Sequence, residues 1–158
     1  KSEKITHTSK FTISGFEKAV FSTDRKSLLL ACEGGIVFYY DLGAKKLSKE
    51  EALHKDRIYD IAVYENRLLT GTPERKARYF NGVKETWYDT RFPVYKVALN
   101  SDIGAFSKEK SIVIIDKNGK EIKEIPYTGT LLTDLEFLPN GELVGAGYDN
   151  NLYFWEAK

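Results

Sequence analysis

Residues 131–137, Leu-Leu-Thr-Asp-Leu-Glu-Phe, alternate apolar and polar side chains and run into Leu138-Pro139-Asn140-Gly141. A second apolar run covers 143–147, a turn follows at Asp149-Asn150, and a third run from Asn151 closes at Trp155-Glu156. Alternation with period two is what a half-buried strand requires, because successive side chains point to opposite faces. Gly141 supplies the positive φ that a tight turn needs and that other side chains resist. The stretch reads as three short strands joined by turns.

Working outward, the same order recurs upstream. The first unit runs Lys18 to Phe21, the turn Thr23-Asp24-Arg25, Leu28 to Cys32, the Gly34-Gly35 turn, and Ile36 to Tyr40. The second uses Ile58 to Val63, Leu68 to Gly71 and Ala77 to Phe80, after which Asn81-Gly82 reads as a type I′ hairpin into Val83–Tyr88. In the third, Val94 to Leu99, Ile103 to Phe106, Ile112 to Ile115 and Ile122 to Ile125 are strands, with Asn118-Gly119 a hairpin of the same kind. Helical periodicity is unconvincing throughout, and Lys45 to His54 reads as an outer strand. The units close at Tyr40, Phe80, Ile115 and Trp155, at intervals of 40, 35 and 40 residues. A period near forty with four short strands per unit predicts an all-β chain of propeller blades. Blades are expected over 15–54, 55–90, 91–128 and 129–158, with a closing strand over 5–14.

The fourth unit resembles a WD40 repeat. It has Leu-Pro-Asn-Gly where that family has Ser-Pro-Asp-Gly, the small residues Gly145-Ala146-Gly147, Asp149 in the next turn, and Trp155-Glu156 for Trp-Asp. His54, four residues before Ile58, stands where the family has the His of its Gly-His pair, with Leu53 replacing the Gly. The resemblance covers roughly 15–158, carried by the fourth unit and by pattern in the others. It implies four four-stranded blades tied by buried hydrogen-bond networks, with His54, Asp149 and Trp155 as the structural signature. Glu74 replaces the expected Asp in the His54 blade and Asp149 has no His before it, so no blade holds the complete set.

Such propellers usually close by pairing an N-terminal strand with three C-terminal ones, and here the final unit has three strands. The arrangement is therefore a closed four-blade ring, an eight-blade ring of two copies exchanging first strands, or half of a larger propeller completed by another segment. The absence of Met, even at position 1, favours an excised or processed segment.

Composition limits the function. The 158 residues carry 24 basic and 23 acidic side chains, so no whole-chain field recruits nucleic acid or an anionic membrane. No apolar run is long enough to span a bilayer, and the first ten residues lack a signal-peptide core. Cys32 is the single cysteine, expected as a small buried side chain. A reducing, intracellular setting, cytoplasmic or nuclear, is the simplest reading. His7 and His54 have no partners at metal-ligand or nucleophile spacing, so neither a metal, a cofactor nor catalysis is expected.

Arg and Tyr favour binding, since both present broad, stiff contact area. The expected interaction face combines Arg57, Tyr59, Arg75, Arg91, Tyr95 and Tyr148, at the turns and strand starts of one rim. The bland reading is that Arg75 and Lys76 solvate a loop while Tyr59 and Tyr95 fill the blade. The predicted role is a non-catalytic protein-interaction scaffold whose partners are other proteins, including a second copy completing the ring. The alternatives are a structural subunit joined through its blade edges, or a phosphate- or nucleic-acid-binding propeller using the Arg75–Arg78 turn with Lys108 and Lys110. Acidic residues among those cations, Glu74 and Glu109, argue against the last.

Overall fold

The computed structural model describes residues 4–13 and 15–158, and among them there are fifteen strands and no helix. The first sheet comprises β1 (Phe16–Phe21), β2 (Ser27–Cys32), β3 (Ile36–Asp41) and β4 (Lys46–Ala52). The second comprises β5 (Asp60–Tyr64), β6 (Arg67–Gly71), β7 (Lys76–Phe80) and β8 (Glu85–Asp89). The third holds β9 (Val97–Leu99), β10 (Ile103–Ser107), β11 (Ser111–Asp116) and β12 (Glu121–Pro126). The fourth has three strands, β13 (Leu132–Phe137), β14 (Leu143–Gly147) and β15 (Leu152–Trp155). Each sheet is an antiparallel meander of sequence neighbours.

Burial explains why the middle strands are apolar almost throughout. A strand covered on both faces cannot alternate with polar residues without burying them. In β2, Leu29 and Ala31 face the second sheet while Leu30 and Cys32 face the other way, and all four are buried. In β11, Ile112 and Ile114 face the fourth sheet, whereas Val113 and Ile115 face the second. Outer strands such as β4 and β12 are mostly exposed and correspondingly polar.

Three apolar seams join the sheets in sequence order. Leu29, Val37, Ile61 and Leu68 fill the first. Leu69, Tyr79, Val97 and Phe106 fill the second. Ile112, Ile114, Leu135 and Leu143 fill the third. Each such side chain contributes about 1.5–3 kcal/mol of burial. The inner strands β1, β5, β9 and β13 pack one against the next, and no comparable packing returns from β13 to β1. Instead Lys18 of β1 reaches across, 3.5 Å from Asp60 and 3.9 Å from Asp134.

Several expectations change. The expected closing strand over 5–14 does not form within residues 5–13, and Ser14 lies outside the described residues. Phe11 and Ile13 instead pack on Leu30, Cys32 and Phe38, covering the outward face of the first sheet. The edge they were expected to complete, β15, belongs to the sheet at the opposite end of the row. Both Asn-Gly hairpins also differ, because type I′ needs two residues at positive φ. Only Gly82 and Gly119 have it, Asn81 and Asn118 do not. Asn81 Oδ1 accepts from the N–H of Val83 and Lys84 at 3.0 and 2.8 Å, stabilising a four-residue loop. β9 starts at Val97 rather than Val94, whose N–H donates instead to Thr72 O, just past the end of β6.

Candidate interaction face

The turns between second and third strands share one rim with the connectors between sheets, as antiparallel order dictates. Backbone bonds fasten them together. The N–H groups of Leu53 and His54 donate to Gly35 O, Thr90 N to Arg75 O, Tyr127 N to Lys110 O, and Tyr148 N to Leu131 O. This rim carries all six residues expected from sequence.

Their environments divide them. Tyr59 and Tyr95 stack nearly parallel, ring centroids 5.2 Å apart and 13° between planes. Both are half-buried, so each shows part of a ring to solvent. Arg57 is drawn against the first sheet by Glu17 at 3.2 Å and Glu33 at 3.4 Å. Arg75 and Arg91 are exposed, both at positive φ, and neighbours through the Thr90–Arg75 backbone bond. Tyr148 is 70% exposed. Tyr59 and Tyr95 are thus brought into contact, and so are the turns bearing Arg75 and Arg91.

Sequence reasoning, which named Lys108 and Lys110 only for a phosphate ligand, missed that they share a groove with Tyr95. A groove of about 310 Å³ opens there, lined by Phe92, Tyr95, Lys108, Lys110, Tyr127 and Leu131 among others. Phe92 and Leu131 are 40% and 44% exposed. The signal lay in Phe92-Pro93 and Leu131, apolar residues in connectors where polar ones are usual. A larger cleft of about 790 Å³ lies at the opposite rim between the first two sheets. Several of its polar groups pair with one another: Tyr39 OH donates to Glu51 at 2.7 Å, Lys49 pairs with Glu51 at 2.8 Å, and Arg78 pairs with Glu85, while Nη1 of Arg67 and of Arg78 has no partner among the described residues. In the smaller groove Lys108 pairs with Glu124 at 3.1 Å and Glu109 also lines the wall, but Phe92 and Leu131 leave apolar surface exposed, which makes it the better place for a protein partner.

The structural signature residues sit beneath the rim. His54 is buried, its Nε2 2.8 Å from Thr70 Oγ1 and its ring edge-on to Trp87 at 5.3 Å. Burial, helped by the Arg78 guanidinium, pushes the imidazole down to about 4. The ring is therefore neutral at neutral pH, and Glu74, 3.6 Å from Nδ1, makes no ion pair with it. In the fourth sheet Asp149 accepts from Tyr153 OH at 2.6 Å, and Tyr153 stacks on Trp155 at 5.7 Å. Tyr127 packs edge-on against both rings.

Arg78 requires a correction to the basic-turn reading. It pairs with Thr70 across the sheet, is buried, is bonded to Glu85, and lies 5.8 Å from the Trp87 ring. Arg75 and Arg78 therefore do not form one exposed basic surface.

No protein-family model matches the chain, and no curated protein does. Solved structures do. The WD40 repeats of RRP9 superpose with a TM-score of 0.81 at 12% identity, covering 94% of this chain and 49% of that one. The β-propeller domain of Cps50 (Swd1) from Myceliophteria thermophila gives 0.73 at 15% identity, covering 90% and 54%. The fold is that of WD40 propeller blades. The computationally designed Ika4 protein matches end to end, with a TM-score of 0.76, 12% identity and 98% of both chains covered. The chain spans about half the length of the RRP9 and Swd1 propellers. The four sheets are its blades, and the connector rim is one face of the propeller.

Proposed function

We propose that these blades act as a non-catalytic protein-interaction scaffold, binding partners on the connector rim. The observation that carries this is the stacked Tyr59–Tyr95 pair bordering the groove of Phe92, Lys108, Lys110 and Leu131. Stacked rings lose little side-chain freedom on binding, and exposed apolar groups beside a rim of mixed charge suit a protein segment with apolar residues. Arg75, Arg91 and Tyr148 extend the surface; Arg57, tied to Glu17 and Glu33, orients the connector. The phosphate reading is weaker, because Arg78 is committed to Glu85. An intracellular setting, cytoplasmic or nuclear, accords with the unpaired, buried Cys32.

Selection of displayed peptides on the immobilised chain tests the proposal. Selected peptides should lose at least about tenfold in affinity on Tyr95→Ala or Arg75→Glu, the cost of losing one good contact. They should be indifferent to Lys26→Glu on the opposite rim. Peptides indifferent to all three changes would sink the assignment. A steep loss of binding with salt would favour a phosphate ligand instead.

A further inference from the structure

We infer that the two ends of this row of blades form one interface with a second copy of the chain, closing an eight-blade ring. This goes beyond the rim proposal and does not rest on it. At one end β15 is an edge strand with no partner beyond β14 among the described residues, and its sheet turns Leu152 and Phe154 away from the third blade, 67% and 58% exposed. Val144 and Ala146 alternate onto that same side, since Leu143 and Gly145 face the core. At the other end Leu30, Cys32 and Phe38 make an apolar face with Phe11 and Ile13 laid over it. Phe21 in the same blade stays 56% exposed. Open apolar faces and free edges drive association unless something covers them.

The occupant follows from what the chain itself carries. Every internal seam joins the trailing face of one blade to the leading face of the next. The two ends are the unmatched halves of one more such seam. The missing fourth strand also resembles residues 4–13, where Ile5, His7, Ser9, Phe11 and Ile13 alternate with Lys and Thr, yet no strand pairs with them.

Charge agrees. Residues 4–13 hold Lys4 and Lys10 and no acid. Residues 129–158 hold Asp134, Glu136, Glu142, Asp149 and Glu156 against Lys158. Length agrees as well, because the chain covers about half of each of two natural propeller chains. In the dimer, residues 4–13 leave their own first blade and add to β15 of the other copy. Two identical junctions result, and the ring closes without leaving an end.

Light scattering on the chain is the test. The expected mass is near twice 18.0 kDa. Phe154→Glu places a charge on a residue already exposed in the single chain, so the variant should fold, by circular dichroism, and fall to the single-chain mass. Phe11→Glu should do the same. Mixing the two variants should restore the doubled mass, since one junction then keeps both intact halves. A wild-type single-chain mass would overturn the inference, as would a doubled mass that survives Phe154→Glu. A ladder of longer oligomers would overturn ring closure.

Discussion

His54 and Thr70 are joined side chain to side chain, 2.8 Å from Nε2 to Oγ1, although one lies in a connector and the other inside β6. The contact pins the start of the second blade to its interior, and it holds the imidazole where a proton is unwelcome. The folded chain releases its proton at about 4, whereas an unfolded histidine releases it near 6.5. Between those values the unfolded state binds a proton that the folded state does not. Stability is therefore full above about pH 6.5 and falls as pH drops towards 4, by about 3 kcal/mol in all. Denaturant titrations at several pH values should show this fall, and His54→Gln should flatten it. An unchanged pH dependence in the variant would assign the effect to other groups.

The Tyr59–Tyr95 stack is an accessory to stability. A double-mutant cycle with Tyr59→Leu and Tyr95→Leu should give a coupling of about 0.5–1.5 kcal/mol. Partner binding should fall far more than this coupling implies, because both rings face the rim. Loss of binding that tracks loss of fold in each variant would remove the distinction.

Arg78 stands across β6 from Thr70, buried, with Glu85 as its carboxylate partner. Glu85→Gln leaves the guanidinium in the seam with a weaker partner. The expected cost is about 1–2 kcal/mol, reduced from a fully buried pair because Glu85 is itself half exposed. Arg78→Met with Glu85→Gln should recover most of it, since an apolar pair needs no counter-charge. Chemical denaturation of the three proteins decides; a double variant worse than Glu85→Gln alone would refute the account.

Gly35 sits at φ 73° in the first blade's rim turn. A Cβ there would fall on the His54 carbonyl oxygen and 2.7 Å from that of Asp56. Gly35→Ala combines left-handed strain of about 1–2 kcal/mol with that collision, so the total should exceed the strain alone. Gly34→Ala, with nothing within 4 Å of its Cβ, is the control and should cost much less. Equal melting temperatures for the two variants would show that the connector gives way freely.

The legible part of this fold is what short range determines. Alternation in residues 131–137 and the apolar runs of β2 and β11 follow directly from burial on one face or two. The illegible part depends on partners distant in sequence. Residues 4–13 alternate like a strand, but whether a strand forms depends on an edge to join, which alternation cannot report. The Asn-Gly pairs marked turns correctly, while the loop length was set by Asn81 capping two backbone N–H groups. His54 was readable as a blade residue, yet its packing beside Arg78 and Trp87 was not, because a cation in a seam breaks the pattern that burial imposes. At the rim, the individual arginines and tyrosines were visible; the stack of Tyr59 on Tyr95, from consecutive connectors, was not.

The fastening of each connector to the preceding blade has a temporal consequence. Leu53 and His54 bond to Gly35, and Ile58 N to Cys32 O, so the second blade is anchored using residues synthesised 18 to 26 positions earlier. Every hairpin likewise joins adjacent strands. A chain emerging from the ribosome can therefore complete one blade, seat the next upon it and continue, with nothing held open for a distant segment. Only the two ends must wait.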